Sequence, residues 1–515
     1  MPFKPDSSFF RKIVIGAVGT KAVCDDLAPH GYDLVELERG ATDTKIWKDV
    51  KRKRVRIPDL VCKNTGVRIE SRAKTKRKLE MSHSPDEAER AWDYGMVDQD
   101  WIAFPICISQ DDDDWSQGEL EDGNSYFHQR KWEQFECVGV INYFPVGEFR
   151  EVSHSRGRRK GVVEASEYSI EWDANLSTRT GPVRSIRYEP QDGQYKICIE
   201  NSDGRGYTWG VDDALEVLVT EGQLVRKHQA FAAAVEPVYP AQQKPPPLES
   251  EQIYDRFLDS NERTMRFTGI KLARLRDDEV HESHIHDLAA DREEDLYVRL
   301  EALSYLAAVA GEPVDSLFDE YLNSGVDQDA LESVICIGEV DTAEAVDVLS
   351  DVLNDPERPY FLRSAAAWTL GHSDRSKAQE TLIRAFADQQ FAIREEALHG
   401  LVSLGANAVP QLLDGLRSDE DAVAAGSAEA LRRFQDLSDE QLGEILSDLQ
   451  GDDPSHWAVW LIGNLPESST ATKLRAMQDI APKVHYSLSL LWSFSRSWIS
   501  RHWEKHPHPH LIPVF

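Results

Sequence analysis

Asp59 and Glu70 stand eleven residues apart in the middle of the most basic stretch of the chain. Residues 48 to 78 hold thirteen Lys and Arg against three acids, Asp49, Asp59 and Glu70, although the whole protein has a formal net charge of −32. A local excess of cations in so acidic a chain marks a surface that meets a polyanion. Two carboxylates within it could hold a hard divalent cation against a phosphate, because Mg²⁺ takes oxygen ligands and keeps some of its waters. The chemistry this suggests is phosphodiester hydrolysis. Lys51, Arg52, Lys53, Arg54, Arg56, Arg68, Lys76, Arg77 and Lys78 are the candidate nucleic-acid contacts.

The elements that would position these groups can be read from pattern. A helix is expected over about 18–29, then strands over 32–40, 55–62 and 67–74, a helix over 85–95 and a strand over 100–109. In VRIESRAK (67–74), Val67, Ile69, Ser71 and Ala73 alternate with Arg68, Glu70, Arg72 and Lys74. A period of two places the first set on a core and all four charged residues on the opposite face. Ser84, Pro85 and Glu87 form the start signal of the helix that follows.

Pro58-Asp59, the eleven-residue step and Glu70-Ser71-Arg72, in a helix–strand–strand–strand–helix–strand order, resemble the PD-(D/E)xK nuclease superfamily over roughly residues 10 to 110. The resemblance implies a restriction-endonuclease-like α/β domain in which Asp59 and Glu70 bind Mg²⁺ or Mn²⁺, helped by an earlier acid, Glu36 or Glu38. The third motif position departs from the family, with Arg72 in place of Lys. Arginine stays protonated and cannot act as a base, but it can hold a phosphate bidentately. Lys74, on the same face, is the alternative candidate for the missing lysine. The partner implied is DNA, and such nucleases commonly cut both strands as homodimers.

Length and composition set the frame. A chain of 515 residues with 41% apolar residues needs several folded domains. Ninety acidic residues against fifty-eight basic resemble proteins adapted to high salt and argue against general, charge-driven DNA binding. Cysteines 24, 62, 107, 137, 198 and 336 are scattered without a C-x-x-C pair, which suits a reducing compartment. No signal-peptide core and no bilayer-length apolar run are present, so the expected location is cytoplasmic, without membrane contact.

The expected fold class is multidomain: an α/β domain over 1–145, a small β-rich domain over 146–232, a Pro-rich linker over 233–250, a helical repeat domain over 251–500 and a tail over 501–515. Short cores at 301, 332, 365, 396, 428 and 458, all but that at 332 containing Ala, recur every 30 to 33 residues. They resemble a HEAT-like α-solenoid of the short type, which implies an extended surface for a protein partner or a scaffold. A nuclease joined to such a solenoid resembles prokaryotic restriction and phage-defence effectors. The alternative is a non-catalytic scaffold with a degenerate nuclease domain. SRGRRKG (155–161), with Tyr168, Trp172, Tyr188 and Trp209 nearby, is either a second nucleic-acid surface or the aromatic core of a small barrel, and the core is the stronger reading.

Overall fold

The computed structural model describes residues 7–39, 57–75, 79–83, 91–109, 135–139, 141–152, 154–155, 166–170, 174–200, 204–225, 230–234, 256–434, 437–448, 457–458 and 460–461. The basic residues Lys51 to Arg56 and Lys76 to Lys78, the Ser84–Glu87 start signal, residues 156–161 of SRGRRKG, Trp172 and most of the Pro-rich linker lie outside the described residues. The chain divides into two compact units, residues 1–305 and 306–515.

Unit 1 is built on a five-stranded mixed sheet. Its strands are β1 (Leu34–Glu36), β2 (Leu60–Cys62), β3 (Arg68–Ser71), β5 (Trp101–Phe104) and β8 (Asn142–Pro145), in the order β1-β2-β3-β5-β8. β1, β2 and β3 form an antiparallel meander, β5 runs parallel to β3, and β8 closes the far edge antiparallel to β5. Helix α1 (Ser7–Leu27) covers one face. Its Val23 and Leu27 pack with Leu60, Cys62, Val67, Ile69, Trp101, Ala103 and Tyr143. Gly19 allows this close approach, since a Cβ there would lie 2.5 Å from the Cβ of Ala73. The other face carries an aromatic core of Trp92, Phe104, Phe144 and Phe149, the last from helix α2 (Val146–Val152).

β4 (Leu79–His83) leaves this sheet and pairs with β10 (Ser166–Ile170), which pairs in turn with β9 (His154–Ser155). A strand from the N-terminal region therefore interlocks with the region expected to be separate. β6 (Cys107–Ser109) and β7 (Phe135–Cys137) form a short antiparallel ribbon. The β-rich segment holds a sheet of β14 (Gly206–Asp212), β13 (Gln194–Glu200), β12 (Gly181–Glu189) and β16 (Leu224–Val225), and a sheet of β11 (Ala174–Leu176), β17 (Ala230–Ala234) and β15 (Leu215–Val217). Val183, Ile197, Ile199, Val211, Val225 and Phe231 fill its core. Trp209 stacks on Phe231 in that core, with ring centroids 5.5 Å apart, while Tyr188 stays half exposed. The hairpin β12–β13 turns at Gly193, whose φ of 61° suits a residue without a side chain.

Helices α3 (Arg263–Leu275), α4 (Glu282–Ala290) and most of α5 (Leu296–Ala308) also belong to unit 1, ahead of the long helical array. Unit 2 continues as α6 (Val314–Leu322), α7 (Asp327–Ile337), α8 (Ala343–Asn354), α9 (Tyr360–Leu370), α10 (Ser376–Arg384), α11 (Phe391–Ser403), α12 (Val409–Leu416), α13 (Asp421–Arg433) and α14 (Asp439–Asp448). The starts of α5, α7, α9, α11 and α13 are 31, 33, 31 and 30 residues apart. Small residues set the stacking distance. A Cβ on Gly371 would lie 2.5 Å from the Cα of Gly400, so the backbones that follow α9 and lie within α11 nearly touch. A repeat cannot bury its apolar face alone, and stacking its neighbours supplies the core. No described helix is long and apolar enough to cross a membrane.

Candidate functional site

The sheet brings Asp59 and Glu70 together. Asp59 immediately precedes β2, and Glu70 lies in β3, whose Ile69 is the register partner of Leu60. The backbone N–H of Ser71 donates to Asp59 Oδ2 at 2.7 Å, which fixes the carboxylate beside β3. The carbonyl of Asp59 accepts from the N–H groups of Leu37, at 2.9 Å, and Glu38, at 3.3 Å. That pairing draws the turn after β1 over the site and brings in a third acid.

The third acid is Glu38. Burial pushes the Asp59 carboxyl well above the usual carboxylate range, and the charges of Glu70 and Glu38 push it further. Arg72 and the Ser71 N–H oppose that shift without cancelling it. Glu36 lies toward α1 instead, where it adds its charge to that of Asp25 on the Cys24 thiol. Alternation alone would put both acids on one face, but β1 ends at Glu36 and the chain turns before Glu38. Glu36 is the register partner of Leu60, whereas Glu38 lies beyond the end of β1 against the Asp59 carbonyl.

Arg72 forms an ion pair with Glu70. Burial disfavours its charge, but Glu70, Asp59 and Glu38 more than offset that, and its pKa is raised. Its side chain remains 35% exposed against 6% for Glu70, so Arg72 is the more open member of the pair. Lys74 is not among the charges that move Asp59 most. Its N–H donates to the Pro105 carbonyl at 2.9 Å and its carbonyl accepts from Cys107 at 2.8 Å.

Arg68 corrects the expectation that the charged face of β3 is open. Residues Arg68 to Ser71 are all buried. Arg68 Nε donates to Asp100 Oδ1 at 2.9 Å and Nη2 to Oδ2 at 2.5 Å, while Nη1 reaches the Thr264 carbonyl and Thr268 Oγ1, both at 3.3 Å. Both acidic and basic side chains of the pair are essentially without solvent. Helix α3 covers this part of the face, so Arg68 cannot contact nucleic acid. A second buried network lies beside the site: Arg39, next to Glu38, pairs with Glu301 of α5, which also holds Arg274 of α3 at 2.9 Å. These networks were missed in the sequence because α3 and α5, which close them, lie 196 to 262 residues beyond Arg68 and Arg39.

The donor chemistry suits a hard divalent cation. Asp59, Glu70 and Glu38 offer carboxylate oxygens, and their crowding is the kind of repulsion that positive charge relieves. In this structure the positive charge is the Arg72 guanidinium, and among the described residues no set of three or more His, Cys, Asp or Glu is arranged to hold a metal ion.

No curated protein matches the chain in sequence. Among solved structures, human deoxyhypusine hydroxylase in complex with glycerol is 19% identical, covering 44% of this chain and 81% of that one, with a TM-score of 0.17. YibA of Escherichia coli is 13% identical over 48% and 92%, with a TM-score of 0.24. An engineered protein is 14% identical over 45% and 75%, with a TM-score of 0.23. TM-scores this low carry no argument. The family match is local: residues 359–432, from the start of α9 through α13, match the family model of HEAT repeats. With the helices that continue the same period, they make the C-terminal region a HEAT-like solenoid.

Proposed function

We propose that the protein is a Mg²⁺- or Mn²⁺-dependent DNA endonuclease of the restriction or phage-defence type, with a protein partner carried by the HEAT-like solenoid. The observation that supports it most is the crowding of Asp59, Glu70 and Glu38 at the meander β1–β2–β3, where burial and the neighbouring acids hold the Asp59 carboxyl well above the usual carboxylate range. The antiparallel meander followed by a parallel strand, with α1 on one face, supports the reading, although residues 91–95 of the helix expected over 85–95 form turns. Asp59, Glu70 and Glu38 would close on the cation only once Arg72 leaves Glu70, and the cation would supply Lewis-acid chemistry for activating water and polarising the phosphate. Arg72 would hold the phosphate, turning from Glu70 toward an incoming anion, and it stabilises developing charge. The half-exposed Tyr360 and Phe391, at the first positions of α9 and α11, support an apolar contact for the protein partner.

Plasmid cleavage by the purified protein with Mg²⁺ or Mn²⁺, at low and high salt, tests the reading. Nicking or linearisation that disappears in Glu70→Ala supports it. Identical products from the parent and the variant refute it.

One observation favours a second reading, a degenerate nuclease domain that binds without cutting: Arg72 is already paired with Glu70. Under that reading Mn²⁺ shows no calorimetric binding that depends on Asp59, and Arg72→Lys does not create any.

A further inference from the structure

Cys107 and Cys137 face each other across the β6–β7 ribbon as direct register partners. Which kind of partner they are follows from the backbone. The Val138 N–H donates to the Ile106 carbonyl at 2.8 Å, so the neighbouring pair Ile106–Val138 is bonded across the ribbon. The Cys107 N–H turns the other way and donates to the Lys74 carbonyl at 2.8 Å. Hydrogen-bonded and non-hydrogen-bonded pairs alternate along an antiparallel ladder, which makes Cys107–Cys137 a non-hydrogen-bonded pair. Such pairs have Cα atoms about 4.5 Å apart, inside the range of about 4.4–6.8 Å that a disulfide spans. The two thiols are already in hydrogen-bond contact.

Their surroundings differ. Cys107 is fully buried among Val14, Ile15 and Phe135, whereas Cys137 keeps some solvent contact. The hydrogen bond to Cys107 lowers the pKa of Cys137, and the same bond with burial raises that of Cys107. Of the two, Cys137 is therefore both the more acidic thiol and the one an oxidant can reach, which is the requirement for a reactive cysteine. Cys24, packed nearby, is a poor competitor because burial and the charges of Asp25 and Glu36 push its thiol up to about 11.

We propose that Cys107 and Cys137 form a redox-active dithiol, oxidised to an intramolecular disulfide by low-molecular-weight disulfides of the glutathione type. The Cys137 thiolate attacks one sulfur of the oxidant, forming a mixed disulfide and expelling one thiolate. Cys107 then attacks the Cys137 sulfur and expels the second thiolate, which takes up the Cys107 proton. Two protein thiols lose two electrons and two protons, and one oxidised disulfide becomes two thiols. The new bond ties β7 to the residue whose N–H holds the Lys74 carbonyl, at the end of the chain segment that carries Glu70 and Arg72.

The test treats the full chain with oxidised glutathione, blocks remaining thiols by alkylation and maps peptides by mass spectrometry. The expected result is a Cys107–Cys137 cross-linked peptide, with titratable thiols in the denatured chain falling from six to four. In Cys107→Ser the expected product is a persistent glutathione adduct on Cys137, because the second thiol is missing. The proposal is overturned if both cysteines remain alkylated as thiols under conditions that modify Cys198, or if Cys137 is found linked to Cys24.

Discussion

Replacing Asp100 by Asn tests whether Arg68 belongs to the structure rather than to a DNA surface. The Arg68 and Asp100 side chains are 0% and 2% exposed, and two guanidinium–carboxylate contacts of 2.9 and 2.5 Å join them. Asp100 Oδ2 also accepts from the Val97 N–H at 2.8 Å. Asparagine removes the charge and points an NH₂ group either at the guanidinium or at the Val97 N–H, setting donor against donor. Breaking one partner of a buried ion pair costs about 3–5 kcal/mol, because it strands the other charge in a dry environment. The expected loss is therefore about 3 kcal/mol or more in denaturant titrations followed by tryptophan fluorescence, with Trp101 adjacent to the pair. Salt should change this loss little, since a buried pair is weakly screened. The double variant Arg68→Met with Asp100→Leu should recover much of it, as apolar side chains of similar size replace buried pairs at little cost. If either single variant loses less than about 1 kcal/mol, or if Arg68→Met weakens DNA binding at unchanged stability, the assignment of Arg68 to the core is wrong.

Three further outcomes follow from the geometry. Asp59 has a raised pKa in the folded protein, so the folded state binds more protons than the unfolded one, and stability falls as pH rises from the unfolded carboxyl value, about 3.9, through the folded one. Asp59→Asn should thus stabilise unit 1 at neutral pH, with the gain shrinking toward zero below about pH 4; a loss of stability at pH 7 would contradict it. Gly19→Val should destabilise by about 1–3 kcal/mol in urea titration, since its side chain would collide with Ala73 and Pro105, whereas Gly16→Ala, in open space, should not. In unit 2, Gly400→Val should separate α11 from Gly371 and speed amide hydrogen exchange through α9 and α11; unchanged protection would refute the close stacking.

The sequence by itself determined the helical array and its period, because small residues at fixed helical positions are a local signal repeated along the chain. It also placed Asp59 and Glu70 on neighbouring strands, since short meanders keep sequence neighbours together. Strand alternation separated the two faces of VRIESRAK but could not say what covers either face. Only the tertiary structure buried Arg68, through α3, whose Thr264 is 196 residues away in sequence. It also chose Glu38 over Glu36, since the choice depends on where β1 ends against the Asp59 carbonyl. Arg72 stood at the right motif position, yet its pairing with Glu70 is set by side-chain geometry within the fold. Cys107 and Cys137 looked like scattered cysteines until the register of β6 and β7 made them partners. Spacing along a chain reports neighbours within one element or one turn, whereas burial and register depend on what the rest of the chain brings against them.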